Sequence, residues 1–154
     1  MTDNVRETVS SLLNQVSLPR LKSDICESVR ILVVDDDPIV RSIALVLLKK
    51  FGLERVDEAP DGPGALALLE ENEYGLIISD HVMEPMNGIA LFRALRGKAR
   101  TRSIPFVLLT ASLQHETVYA AKRAGIRHYV LKPFRLEALH QKLVELLMPF
   151  GKER

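Results

Sequence analysis

Five short runs of β-branched and apolar residues, each followed by a longer stretch with helical spacing, fill the chain from residue 30 onward. The runs are RILVVD (30–35), RVDEA (55–59), GLIISD (75–80), IPFVLLT (104–110) and HYVLK (128–132). Three of them are almost wholly apolar, as strands are when both faces of a parallel sheet are covered. Strands alternating with helices at this spacing predict an α/β fold, a parallel sheet with helices on both faces.

The intervening stretches supply the helices. Pro38 suits a first helical turn, and Ile39, Ile43, Val46, Leu47 and Lys50 follow at near-helical spacing until Gly52 ends the run. GPGALALLEENEYG offers Leu66 and Leu69 under an acidic outer face, and NGIALFRALRGK sets Ile89, Phe92 and Leu95 on one side with Asn87 as its N-cap. QHETVYAAKRAG and RLEALHQKLVELLMPF complete five strand-helix units, the last with Leu136, Leu139, Leu143, Leu146 and Leu147 as its stripe. Residues 1–29 form an extension of different texture, partly helical, ahead of a domain at 30–150. Val5, Val9, Leu12, Leu13 and Val16 make one short amphipathic stripe, Pro19 interrupts it, and RLKSDICES is a connector or a second short helix. Such an extension packs on the domain, frays from it, or serves as a dimerisation or docking helix.

Charge narrows the function classes. Lys plus Arg number 21 against 20 Asp plus Glu, a formal net charge of +1, so no basic footprint for direct nucleic-acid binding is present. Cys26 is the only cysteine, which excludes an intrachain disulfide and a CxxC-type metal or redox site. The start lacks the basic-then-apolar order of a signal peptide, and IALVLL (43–48), the densest apolar run, is too short for a bilayer, so the expected location is cytoplasmic, away from membranes.

The chemistry gathers at the strand ends. Asp35, Asp36 and Asp37 close the first run and Asp80 closes the third. In an open α/β sheet the ligand site lies beyond the carboxyl ends of the strands. If those strands are neighbours, crowded carboxylates meet at one edge, and all-oxygen ligation without His or Cys suits Mg²⁺. Thr110 ends the fourth run and Lys132 the fifth, placing a hydroxyl and an ammonium opposite the acids. That combination is equipped for phosphoryl transfer, with Asp80 as the nucleophile and Mg²⁺ and Lys132 neutralising phosphoryl oxygens.

VVDDDP, SDHVMEPMNG, LLTA and YVLKPF, in this order on the expected strand ends, resemble the receiver domain of two-component response regulators, similar to the single-domain chemotaxis type. The resemblance covers about residues 30–148 and implies a flavodoxin-like sheet in the order 2-1-3-4-5. It also implies that Asp80 accepts phosphate from a histidine kinase or histidine phosphotransfer protein. Asp36 and Asp80 are then carboxylate ligands of Mg²⁺, Val82 a ligand through its backbone carbonyl, and Asp35 acts through water. Thr110 becomes the switch hydroxyl, Tyr129 the aromatic whose rotamer reports it, Lys132 the phosphate-contacting lysine, and Pro133 takes a cis peptide. The sequence departs from the family pattern where Glu84 displaces Pro85 by one residue, although Gly88 keeps its distance from Asp80. Val82 stands where many members carry a polar residue.

The implied function is a binding module rather than an enzyme. No output segment is expected after the fifth helix, and signalling is expected to pass to an unknown downstream protein through the surface of residues 113–148. The oligomeric state is left open: a homodimer would use the helices that follow the fourth and fifth strands, or the extension, and a monomer would be a shuttle that docks elsewhere. Two other readings exist: a pseudo-receiver scaffold that never takes phosphate, and a haloacid-dehalogenase-type phosphatase using Asp35 and Asp37 as its D-x-D. Asp37 is expected to cap the helix at Pro38 rather than bind metal. His81, His115, His128 and His140 are scattered without ligand spacing and are expected to face solvent. RALRGKARTRS reads as a solvated helix end or a docking patch for an acidic partner.

Overall fold

In a computed structural model, which describes residues 2–13, 20–112 and 114–152, the five runs become one parallel sheet. Its strands are β1 (Ile31–Val34), β2 (Val56–Ala59), β3 (Leu76–Asp80), β4 (Phe106–Thr110) and β5 (His128–Leu131), in the order β2-β1-β3-β4-β5. This is the order the resemblance implies, with the switch point between β1 and β3. Residues in β1, β3 and β4 are buried throughout, as their unbroken apolar sequence requires.

Alternate side chains of each strand point to opposite faces, and each face has its own core. On one face Ile31, Val33, Ile78, Val107 and Leu109 meet Leu47 and Leu48 of α3 (Pro38–Lys50) and Leu139, Leu143 and Leu147 of α7 (Leu136–Lys152). On the other, Leu32, Val34, Ile77 and Leu108 meet α4 (Gly62–Glu71), α5 (Gly88–Arg96) and α6 (His115–Ala124).

The helix ends follow local chemistry. Asp37 accepts from the Ile39 N–H at 2.9 Å and caps α3, as expected, and Asn87 accepts from the Ala90 N–H at 2.8 Å to cap α5. Asp61 caps α4 in the same way through the Gly64 N–H at 2.7 Å. After α3 the chain turns back at Gly52, whose φ of +95° suits a residue without a Cβ.

Two helices precede the sheet: α1 (Thr2–Leu13), which lies against α3, and α2 (Ser23–Ser28), which lies against α7. Val9 packs against the first core while Leu12 is exposed. Val16, Pro19 and the side chains of Val5 and Leu13 lie outside the described residues, so the rest of the expected stripe is not seen. Ile39, the first of the α3 residues at near-helical spacing, is exposed, whereas Leu47 further along the helix is buried. His81, His128 and His140 also depart from expectation, whereas His115 is exposed. All three are half-buried: His140 sets its ring edge-on to Phe51, with centroids 4.8 Å apart, and His128 lies between Lys142 and Glu145.

Candidate phosphoacceptor site

The register of β1 on β3 pairs Val34 with Ser79, so the next residues, Asp35 and Asp80, emerge side by side at the carboxyl edge. Oxygens of Asp35, Asp36 and Asp80 all lie within 4.8 Å of one another. Asp35 is wholly buried and Asp36 exposed, so the cluster runs from the sheet interior to the surface. Asp37 stays out of it: its carboxylate is spent on the cap of α3, while its N–H donates to Asp35 Oδ1 at 2.9 Å. That arrangement removes the second aspartate from a phosphatase-like D-x-D.

Lys132 enters from the far side. Its backbone N–H donates to the Thr110 carbonyl at 2.7 Å, carrying the β4–β5 ladder one residue further. Its Nζ reaches Asp80 Oδ1 at 2.9 Å and Asp35 Oδ2 at 3.1 Å, so one ammonium bridges two acids. Burial works to lower the Lys132 pKa, but its hydrogen bonds to Asp80 and Asp35 outweigh that and raise it. Burial likewise pushes the Asp35 carboxyl up. The Asp37 N–H opposes the rise, neighbouring Asp80 adds to it, and Lys132 offsets it in part. The lysine alone therefore leaves acidic charge uncompensated. A hard divalent cation with oxygen ligands fits the remainder, and the three carboxylates are a donor set suited to Mg²⁺.

Thr110 closes β4, and Tyr129 lies on β5, the strand that leads to Lys132. Thr110 is buried, its hydroxyl donating to the Ser112 carbonyl at 2.9 Å and accepting from the Ser112 N–H at 3.2 Å. Tyr129 is half-buried, packs against the second core, and pairs in register with Leu108. The Lys132–Pro133 peptide is cis, as the resemblance implies, and so is Glu84–Pro85.

The displaced Pro85 leaves the loop after Asp80 closed. The His81 N–H donates to the Leu109 carbonyl at 2.9 Å, and the Gly88 N–H returns to the His81 carbonyl at 2.8 Å. Gly88 is required there, because a Cβ would sit 2.3 Å from the Asp80 carbonyl oxygen and 2.7 Å from Leu108 Cδ1. Met83 is buried beneath the loop, and Met86 lies over Gly62. Val82 turns outward with 74% of its surface exposed, and His81 is half-buried beside Asp80.

Sequence reasoning missed Arg41. Its Nη1 donates to the Asp35 carbonyl at 2.7 Å and its Nε to Glu58 Oε1 at 3.1 Å. The only sequence signal was a guanidinium one turn beyond the acidic run.

Comparison with known proteins agrees with this geometry. Residues 31–144 match the family model described as the response regulator receiver domain. The chain is 34% identical over 117 residues to the chemotaxis protein CheY of Pseudomonas aeruginosa, covering 76% of this chain and 94% of that one. Among solved structures, CheY4 of Vibrio cholerae matches with a TM-score of 0.72 and 31% identity over 77% of this chain and 98% of that one. The receiver domain of a Pseudomonas aeruginosa sensor histidine kinase, solved with a magnesium ion coordinated in its active-site cleft, matches with a TM-score of 0.72 and 27% identity, covering 78% and 98%. With its sheet order, its acidic edge and these relatives in agreement, the chain belongs to the response regulator receiver domain family.

Proposed function

We propose that this receiver accepts a phosphoryl group on Asp80 from a phosphohistidine of a histidine kinase or histidine phosphotransfer protein, in a Mg²⁺-dependent reaction. It then signals to a downstream protein by contact. The observation that supports this most directly is Lys132 reaching Asp80 and Asp35 at once, beside a third carboxylate, Asp36, in the same cluster. An Asp80 carboxylate oxygen attacks phosphorus, the P–N bond to the donor imidazole breaks, and the imidazole leaves with its electron pair. Asp36 and Asp80 would hold the ion through their carboxylates, Val82 through its backbone carbonyl and Asp35 through water. When bound, the ion neutralises charge on the phosphoryl oxygens. Lys132 exchanges its contact with Asp80 for one with the phosphoryl group and keeps Asp35.

Thr110 supplies the response. Its two hydrogen bonds to Ser112 hold the turn after β4, and donation to a phosphoryl oxygen requires the hydroxyl to give up the Ser112 carbonyl. The turn and α6 then settle differently and Tyr129 repacks, altering the surface built by α6, β5 and α7. The chain can shift only as far as the phosphoryl group favours one arrangement over the other. Homodimerisation through that surface or through α1 belongs to the same proposal.

Treatment of the full chain with acetyl phosphate and Mg²⁺ should add one phosphoryl group, seen by mass spectrometry, and Asp80→Ala should take none. Beryllofluoride with Mg²⁺ should move the amide resonances of Thr110 and Tyr129. An unlabelled wild type, or equal labelling of Asp80→Ala, refutes the proposal.

A further inference from the structure

A line of charged side chains joins the first helix to the acidic pocket. Arg41, with only 17% of its side chain exposed, sits between Glu58 of β2 and the Asp35 carbonyl and donates to both. The other Glu58 oxygen, Oε2, lies 3.9 Å from Nη2 of Arg6 on α1. Arg6 Nε is shut off from solvent without a hydrogen-bond partner, while the side chain as a whole is 43% exposed on a helix that lies against α3. Asp35 is thereby gripped on both sides of its backbone: its N–H donates to the Ala59 carbonyl at 3.2 Å and its carbonyl accepts from Arg41. Ala59 follows Glu58 directly, so two neighbouring residues of β2 set where Asp35 sits.

Mg²⁺ demands near-ideal octahedral geometry, and a ligand set is only as well placed as the backbone that carries it. Arg41 bridges two acceptors through separate nitrogens of a planar fork. A lysine, with one point donor, reaches one or the other. The Glu58 side chain is one-third exposed and has a cation on each side, Arg41 at Oε1 and Arg6 at Oε2.

We infer that Arg41 is a positioning residue for the Asp35–Asp36 turn, and that the N-terminal helix tunes the pocket by bracing Glu58 with Arg6. This rests on the Mg²⁺-dependent reading above and goes beyond it, because α1 lies outside the stretch that matches the family model. Lifting α1 from α3 releases Glu58 to solvent, slackens Arg41 and loosens the metal-binding turn.

The test uses full-length protein, with Mg²⁺ affinity read by calorimetry and folding checked by thermal midpoint in chelator. Arg41→Gln should weaken Mg²⁺ by about tenfold or more, the usual effect of losing a partner behind a metal ligand. Arg41→Lys should recover only part of that. Arg6→Gln should weaken it by about threefold, in keeping with a half-exposed ion pair. In an Arg6→Gln/Glu58→Gln double variant the Arg6 change should add nothing to Glu58→Gln alone. Arg41→Gln binding within twofold of wild type overturns the positioning role, and an undiminished Arg6 effect in the Glu58→Gln background overturns the bracing. Should the wild type itself bind no Mg²⁺, the functional reading fails first. The line of charges is then judged on metal-free protein, where Arg6→Gln must shift the Asp35 and Asp36 amide resonances only when Glu58 is present. Unmoved resonances overturn it as well.

Discussion

Burial of a carboxylate beside a second one costs stability, and at Asp35 that cost has a sign that can be measured. Its folded pKa is raised, chiefly by burial, so the folded state holds the Asp35 proton more tightly than the unfolded chain does. Stability from this group is therefore greatest at acid pH and declines as pH rises from the unfolded pKa through the folded one. In metal-free protein, Asp35→Asn should flatten that decline and raise unfolding free energy at neutral pH by about 1 kcal/mol, while abolishing tight Mg²⁺ binding. Denaturant melts across pH in chelator check both halves. Lys132 has the same sign in a more alkaline window. With its folded pKa raised by the two acids, its contribution is complete below the unfolded value and is lost as pH climbs through the folded one. Gly88 tests shape rather than charge: Gly88→Ala drives a methyl into the Asp80 carbonyl and should cost about 1–3 kcal/mol in urea melts while slowing labelling of Asp80.

Elements show where local rules sufficed. Asp37 caps α3 and Asn87 caps α5, both readable because a short acceptor side chain stands directly before an apolar-periodic run. Asp37→Ala should lower stability by about 1 kcal/mol yet leave acetyl phosphate labelling of Asp80 intact, which separates the capping aspartate from its two neighbours. β1, β3 and β4 were legible from end to end because their burial is continuous. The ends of β2 and β5 also fell close to expectation, although neither strand is continuously buried. Contacts between distant residues were not legible. Tyr74 donates to Asp57 at 2.6 Å, which together with burial pushes the phenol up to about 12, and Arg30 holds the same carboxylate at 2.8 Å. Nothing in the local pattern of those three residues announces that they meet. Arg41 escaped for the same reason, since its partners are set by how β2 lies beside β1. Half-burial of His140 against Phe51 is likewise a contact between distant residues that no sequence period announces.

For the molecule as a whole, the sheet order carries the function, because only the adjacency of β1 and β3 brings the two acidic strand ends together. The order itself rested on the family resemblance, since spacing alone does not rank strands. Ligand linkage gives the global test: Mg²⁺ at about a hundred times its dissociation constant should stabilise the fold by about 2.7 kcal/mol. Chelator should reverse the shift, and Asp80→Ala should abolish most of it. Leu143, fully buried where α7 meets the sheet, sets the scale of the core, and Leu143→Ala should cost about 2–5 kcal/mol in the same melts.

β2 is an outermost strand, and an outermost strand carries unsatisfied amide groups that invite a second chain to join the sheet. Here Asp57 and Glu58 occupy its middle, clamped by Arg30 and by Arg41 respectively. The guanidiniums that hold these two carboxylates thus also fence this flank, so neutralising Glu58 should make the protein more prone to aggregate on storage.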